Sequence, residues 1–430
     1  MLKVKYGTFH MVFALLLSLA VPFPIFASAL EINIERALEL ATANNNRIKI
    51  AKSDVTIARE TRRQSHRARG VTVSATHAST YTDFQNDAYT ESTGKTYANS
   101  ITASYPLYTG GTIKNTIKMA ESDYNSKNEA LRKTHQDVKL DVVSSLYQIL
   151  RAADSERQAE ESVKRLAAHV ENVKIQYENG KVGKADLLRS EVELSGAKQS
   201  LIRAASENDT AIKQLNSLMG IPLGTKLIIK EKMTYEKYAL TLEECVAFAT
   251  RTHPDLIIAV HAIEAAEAGV LVARGQTLPQ ASISAVQALG SQKSWPGTKE
   301  DTFSVKLNVD YTFMDAGVGA SKISSAKESA RRAKHNYEQA LESVVFSVNS
   351  RYNDITEAAL RVEESKAAIG KAEEAYGIAV NRYNEGVGAN IDVVDSQNAL
   401  TTASSNYTQA LCDYSIALAR IENSMGGPLK

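Results

Sequence analysis

A pattern that occurs twice, 206 residues apart, restricts this chain to a duplicated architecture. Tyr177-Glu-Asn-Gly180-Lys-Val-Gly183-Lys-Ala-Asp186-Leu-Leu-Arg-Ser190 returns as Tyr383-Asn-Glu-Gly386-Val-Gly388-Ala-Asn-Ile-Asp392-Val-Val-Asp395-Ser396. In both copies Gly follows the Tyr by three positions, Asp by nine and Ser by thirteen. The same offset carries Tyr105 onto Tyr311, Gly111 onto Gly317, and Met219-Gly-Ile-Pro-Leu223 onto Met425-Gly-Gly-Pro-Leu429. The leading segments that start at Ile34 and Leu242 match at an offset of 208. A fixed internal spacing of this kind sets the fold before any local signal does. The chain reads as two repeats, 30–223 and 241–430, joined by a Lys- and Tyr-rich connection, 224–240.

Each copy of the pattern is the tip of a helical hairpin. Between Thr112 and Tyr177 there is neither proline nor glycine, and apolar residues recur at three-four spacing from Ile113 through Ile149 and Leu166 to Tyr177. That is coiled-coil spacing. Some 65 residues of helix are on the order of 100 Å long, too long for an ordinary globular core. The glycines then allow a tight reversal, because glycine enters the left-handed region without a Cβ penalty. A second long helix is expected over about 318–384, and return helices over about 185–218 and 391–425.

Ahead of each long helix the period changes from three-four to two. Strands are expected at about 71–82, 97–108, 281–289 and 303–313. The last alternates most clearly, with Phe303, Val305, Leu307, Val309, Tyr311 and Phe313 against Ser304, Lys306, Asn308 and Asp310. An apolar face with aromatics at its ends, opposite a polar face, suits a lipid-facing barrel with a wet interior. An edge sheet packed on helices is the other reading of the same alternation. Four strands cannot close a barrel, and hydrocarbon tolerates no open edge, so further copies of the chain must complete it. Polar loops are expected at 83–96 and at 290–301, the latter with Trp295, facing the cell exterior.

Composition decides between compartments and excludes some chemistry. Lys3 and Lys5 precede a short apolar run, and Ala27-Ser-Ala29 closes it. This is the pattern of a cleavable export signal, too short to span a bilayer. The formal charge is +1, and loss of the two leader lysines brings it near −1, which argues against nucleic-acid binding by bulk charge. Cys245 and Cys412 are the only cysteines, too few for a disulfide framework, and read as small buried side chains. No zinc-protease, Walker or dinucleotide motif is present. Asp315-Ala-Gly317-Val-Gly319 is punctuation between strand and helix, and His253 and His261 lack metal-ligand spacing. Neither a catalytic residue nor a metal or other cofactor is expected.

Two strand pairs, two long hairpins and paired Tyr-x-x-Gly…Asp tips resemble the TolC-like outer-membrane efflux proteins across essentially the whole mature chain. The resemblance implies an α+β membrane duct. In it a homotrimer builds a twelve-stranded barrel in outer-membrane lipid above a periplasmic tunnel of helical hairpins. It also implies a passive exit conduit for efflux or type I secretion, docked to a periplasmic adaptor and an inner-membrane transporter. A periplasmic adaptor or a pore-free coiled-coil scaffold are the alternatives, and the alternating strand pairs count against both.

The tips are where such hairpins would converge. Asp392 and Asp395 share one side of a first helical turn, and Asp186 is the matching position in the first repeat. With Tyr177 and Tyr383 they are the expected periplasmic gate, three copies giving acidic rings. Acids at a helix start also complement the macrodipole, which is the plainer account of them. Some relatives carry an Arg two residues after the tip glycine, and here Gly388 stands there. Any lock must then use Tyr383, Tyr177, Lys181 or Lys184, or packing of Val182 and Val387, with Arg189 available to Asp186. Bare backbone at Gly180, Gly183, Gly386 and Gly388, with Val182 and Val387, is the expected adaptor contact.

Processing is tested by N-terminal sequencing of protein purified from the outer membrane. The expected mature chain begins at Leu30, and one still beginning near Met1 overturns the export reading.

Overall fold

The computed structural model describes residues 30–84, 92–291 and 300–427. The expected export signal and its cleavage site, Trp295 and the expected loop segments 85–91 and 292–299 lie outside the described residues. In chain order the elements are β1 (Leu30–Ile32), α1 (Ile34–Asn44), α2 (Asn46–Arg67), β2 (Thr72–Phe84), β3 (Ser92–Tyr108), α3 (Thr112–Glu178) and α4 (Lys184–Met219). There follow β4 (Leu227–Ile229), α5 (Leu242–Thr252), α6 (Pro254–Gly275), β5 (Gln280–Ser291), β6 (Glu300–Asp310), α7 (Val318–Asn384) and α8 (Asn390–Ser424).

The two long helices have 67 residues each, about 100 Å at 1.5 Å per residue. Helix packing gives a single layer. Toward the strands its order is α2, α3, α6, α7; toward the tips it is α4, α3, α8, α7. Flanked on both sides, α3 buries positions that wander around its surface rather than one seam. Ala152 is buried and Ala153, which the three-four spacing assigns to the seam, is exposed.

Local chemistry accounts for the breaks. Asn33 caps α1 by accepting the Arg36 N–H at 2.8 Å, and Thr241 caps α5 in a reciprocal pair with Glu244. Asn45 ends α1 and starts α2, and its amide reaches the Leu218 carbonyl of α4 at 2.9 Å. The apolar stretch 242–275 is broken at His253 and Pro254, so it forms two helices of the wall rather than one span.

The apolar core is concentrated at the waist of the long helices. Val138, Val142, Leu146 and Ile149 of α3 pack with Ile32, Ala37, Ala41, Ile48, Leu215 and Met219. Val344, Val348, Ile355 and Val362 of α7 pack with Cys245, Ala249, Leu256, Tyr414 and Ile421. Both cysteines are buried. Part of the Lys- and Tyr-rich connection 224–240 is ordered: β4 pairs in parallel with β1, Leu30 opposite Leu227. Three-residue strands are too short for alternation to register.

β2, β3, β5 and β6 form one antiparallel sheet in that order, with β2 and β6 at its edges. The strands differ from the expected bounds. β2 runs to Phe84 and β3 starts at Ser92, so much of the expected loop 83–96 is strand; its polar residues hid the alternation. β5 likewise extends to Ser291 and β6 begins at Glu300, while Tyr311–Phe313 follow the strand end at Asp310. The register aligns Val73, Ala103, Ala285 and Val305 in one row and Tyr105, Ile283 and Leu307 in another, on the apolar face.

Where sheet meets helices, two glycines interlock. Gly110 has φ +59° and its backbone lies against Gly275, so a Cβ on either would meet the other's carbonyl oxygen. Gly110→Ala is expected to lower the thermal midpoint of the detergent-solubilised protein. Gly196→Ala, in open space within α4, should leave it unchanged or raise it, by up to about 1 kcal/mol of helix propensity. Circular dichroism melting curves of both variants check the contrast.

Candidate functional site: the paired hairpin tips

Both tips close with the same backbone chemistry. After α3 the chain turns at Gly180, φ +71°, and the Lys181 N–H returns to the Gln176 carbonyl at 2.9 Å. After α7 it turns at Gly386, φ +76°, and the Val387 N–H returns to the Arg382 carbonyl at 3.0 Å. These bonds satisfy the last carbonyls of each long helix, which otherwise have no partner. Gly388 is required for a different reason: a Cβ there would sit 2.9 Å from the Tyr383 nitrogen. At Gly183, the N-cap of α4, a Cβ would meet only Asp186 Oδ2, at 4.0 Å.

The matched residues do not share an environment. Tyr383 is 4% exposed and packs with Val173 and Val393, and Val182 and Leu187 lean on the same cluster. Its ring meets His169 edge-on at 5.2 Å between centroids. Its hydroxyl is buried without a hydrogen-bond partner among the described residues. Burial, and then the charge of Asp186, push its pKa up. Tyr177 is 38% exposed, and Val387 is 66% exposed where Val182 is half-buried.

Asp392 and Asp395 are both exposed on the first turns of α8, while Val393 and Val394 between them are buried. Asp392 Oδ2 accepts the Ala389 N–H at 3.3 Å, so it serves the helix start as well as facing solvent. Asp186 is half-buried, and among the described residues no ion pair joins it to Arg189, Lys181 or Lys184. Its backbone carbonyl, rather than its carboxylate, makes the contact with the second tip.

That contact centres on Asn390, whose importance the sequence reading missed. Asn390 Nδ2 donates to the Asp186 carbonyl at 3.2 Å and to Ser190 Oγ at 3.1 Å, and its Oδ1 lies 2.6 Å from His169 Nε2. Asn172 Nδ2 donates to Asn384 Oδ1 at 2.7 Å. Farther up, Arg165 Nε donates to Gln397 Oε1 at 3.0 Å and Gln158 Nε2 to Thr408 Oγ1 at 2.9 Å. Asp154 accepts from Thr408 at 2.5 Å; burial works to raise its pKa, but this bond and those from Arg157 and Gln158 hold it below the ordinary value. One signal could have pointed there: the three-four spacing of Val393, Val394 and Leu400 runs through Asn390 and Gln397, placing buried amides on an apolar seam.

Among the described residues no cluster of His, Cys, Asp or Glu could hold a metal ion. The tips offer bare backbone, exposed carboxylates and a polar hairpin-to-hairpin junction, which suits docking and movement.

A family model described as outer membrane efflux protein matches residues 37–221 and 249–427. The alkaline protease secretion protein AprF of Pseudomonas aeruginosa is 22% identical over 256 residues, covering 57% of this chain and 52% of that protein, about half its length. The outer membrane efflux protein BepC of Brucella suis is 21% identical over 328 residues, covering 74% of this chain and 70% of that protein. The crystal structure of the Campylobacter jejuni CmeC outer membrane channel superposes with a TM-score of 0.81 at 16% identity. The match covers 92% of this chain and 85% of that one, a likeness of fold.

Proposed function

The chain belongs to the outer membrane efflux protein family, and from that premise we propose that it is a passive exit duct of a tripartite efflux or type I secretion system. Substrate passes from an inner-membrane transporter across the periplasm and the outer membrane, and no catalytic step is involved. One relative is named for protease secretion and another for efflux, so both kinds of cargo are compatible with the reading.

The observation that carries it is the pair of free edges. β2 and β6 end the sheet, and α2 with α4 on one side and α7 on the other end the helical layer. Those helical edges carry exposed apolar stripes. Ile50 and Ile57 of α2 and Leu188, Val192 and Ile202 of α4 stand on one, and Phe346, Leu360 and Ile378 of α7 on the other. Within each helix these positions fall on one side at 100° per residue. Unlike edges that match each other make a heterologous contact, which forms a ring where the rotation between copies closes. Three copies give a twelve-stranded barrel, the number coming from the family.

Phe303 to Tyr311 spans about 27 Å along an extended strand and about 20 Å of height at barrel tilt, close to the apolar band of outer-membrane barrels. The repeats, 30–223 and 241–430 joined through 224–240, then supply two strands and one hairpin each. An adaptor or a scaffold has no use for a lipid-facing sheet. At the periplasmic end Asp392 and Asp395 form acidic rings across the opening, with Asp186, Tyr177 and Tyr383 shaping the gate. The adaptor meets Gly180, Val182 and Gly183 of one tip and Gly386, Val387 and Gly388 of the other; exposed Val387 offers the larger apolar contact.

Two measurements test this reading. Native mass spectrometry of the detergent complex is expected to give three chains, and the complex should conduct ions across planar bilayers; a monomer without conductance is the adaptor or scaffold outcome. Asp392→Ala with Asp395→Ala should largely abolish block by multivalent cations added on the tip side. Block as strong as in the parent leaves these acids as helix-start residues only.

A further inference from the structure

We propose that His169, Ser190 and Asn390 form an uncharged, proton-sensitive clasp that holds the start of α8, and with it Asp392 and Asp395, against the first hairpin. The proposal deepens the gate reading given above and rests on it.

The geometry fixes the hydrogens. The Asp186 carbonyl can only accept, so the Asn390 amide nitrogen must face it, at 3.2 Å. Asn390 Oδ1 is thereby turned to His169 Nε2 at 2.6 Å, and that ring nitrogen must carry a hydrogen. Ser190 Oγ lies within reach of both the Asn390 amide, at 3.1 Å, and the Asp186 carbonyl, at 2.9 Å. Asn390 is 5% exposed and Ser190 fully buried. Every side-chain bond of Asn390 leaves its own hairpin, reaching α3 through His169 and α4 through Asp186 and Ser190. Parting the hairpins breaks all of them together, and a buried partner left unpaired is costly.

His169 makes the clasp responsive to protons. Its ring lies against Tyr383, with buried Leu166 and Val173 one turn away on either side. Burial holds the imidazole below its ordinary pKa, partly opposed by the bond to Asn390. On the packed elements the nearby titratable groups are Asp186 of α4, Tyr376 and Tyr383 of α7 and Asp392 of α8. Arg165 lies one turn back on α3, engaged by Gln397. No ion pair joins any of them to His169 among the described residues. The joined state therefore binds fewer protons than the parted state, in which the imidazole regains a pKa of about 6.5. Joining is favoured above that pH and weakens as the pH falls through 6.5 toward the depressed value. Each unit between the two values changes the equilibrium up to tenfold per clasp.

The test uses the full-length complex carrying Val393→Cys, a position buried beside the clasp, and follows labelling of that thiol, told apart from Cys245 and Cys412 by peptide mass mapping, from about pH 8 to about pH 5. His169→Gln keeps an amide donor for Asn390 and cannot titrate. The labelling rate of Val393→Cys alone, divided by that of Val393→Cys with His169→Gln, cancels the pH dependence of the thiol chemistry. This ratio is expected to rise several-fold on acidification; a flat ratio overturns the clasp. At about pH 8 Asn390→Leu is expected to label several-fold faster than the parent, and a rate like the parent's at that pH also overturns it. Bilayer recordings separate the two readings. A rising ratio with acid-stimulated conductance in the parent, absent from His169→Gln, supports both. A rising ratio with no conductance at any pH supports the clasp and overturns the duct.

Discussion

A backbone N–H or C=O left unpaired in hydrocarbon costs several kcal/mol, and the architecture follows from avoiding that cost. Each chain has four strands in its sheet, and a sheet with two bare edges is stable in a membrane only when other chains complete it. Because the strands lead directly into α3 and α7 through short turns at Gly111 and Gly317, closing the sheet also sets the helices in a ring. The helical layer accordingly has unlike, apolar edges. In the proposed ring, a closed barrel above would impose a closed tunnel below.

Within that layer two kinds of contact do different work. Inside each hairpin, and at the waist, the packing is apolar: Leu146, Val348 and Tyr414 are fully buried there. Between the hairpins, from Asn390 to Thr408, α3 meets α8 largely through amides, hydroxyls and Arg165. Apolar burial stabilises without demanding one geometry, whereas a buried polar contact is satisfied only in register. The waist is therefore the part that stays, and the polar junction is the part that can exchange partners. Water can replace hydrogen bonds once hairpins part, but it cannot replace apolar burial.

Length and periodicity made most of this fold legible. Two helices of 67 residues without proline, each ending on a glycine turn, leave few alternatives, and the alternation of Phe303 to Val309 marks a two-faced strand. Short or polar segments were not legible. β1 and β4 are three residues each and depend on a partner nearly 200 positions away. The outer parts of β2 and β3 carry turn-forming residues yet remain paired. At the tips the glycines and carboxylates could be listed from sequence, but the Asn390 contact could not. It requires knowing that α8 lies beside α3, and a lone Asn in a seam carries no record of its partner.

The two tips share their Tyr, Gly, Asp and Ser but are unequal in the protomer, where the layer order is α4, α3, α8, α7. The second hairpin lies against α3, so the Tyr at its tip is enclosed by Val173 and Val393. The first hairpin has α4 at a free edge, and its Tyr177 remains partly exposed. In a closed ring that free edge meets α7 of the next copy. Each tip would then have one junction made within the chain and one made between chains, although a single motif was duplicated to form both. Only the internal junction has the His169–Asn390 pair, since the residue matching Asn390 in the first repeat is Lys184. A charged residue at that place cannot be buried in the same way without a partner. The two repeats differ here at both members of the pair, Lys184 standing opposite Asn390 and Ala375 opposite His169, so the two tips cannot make the same contact.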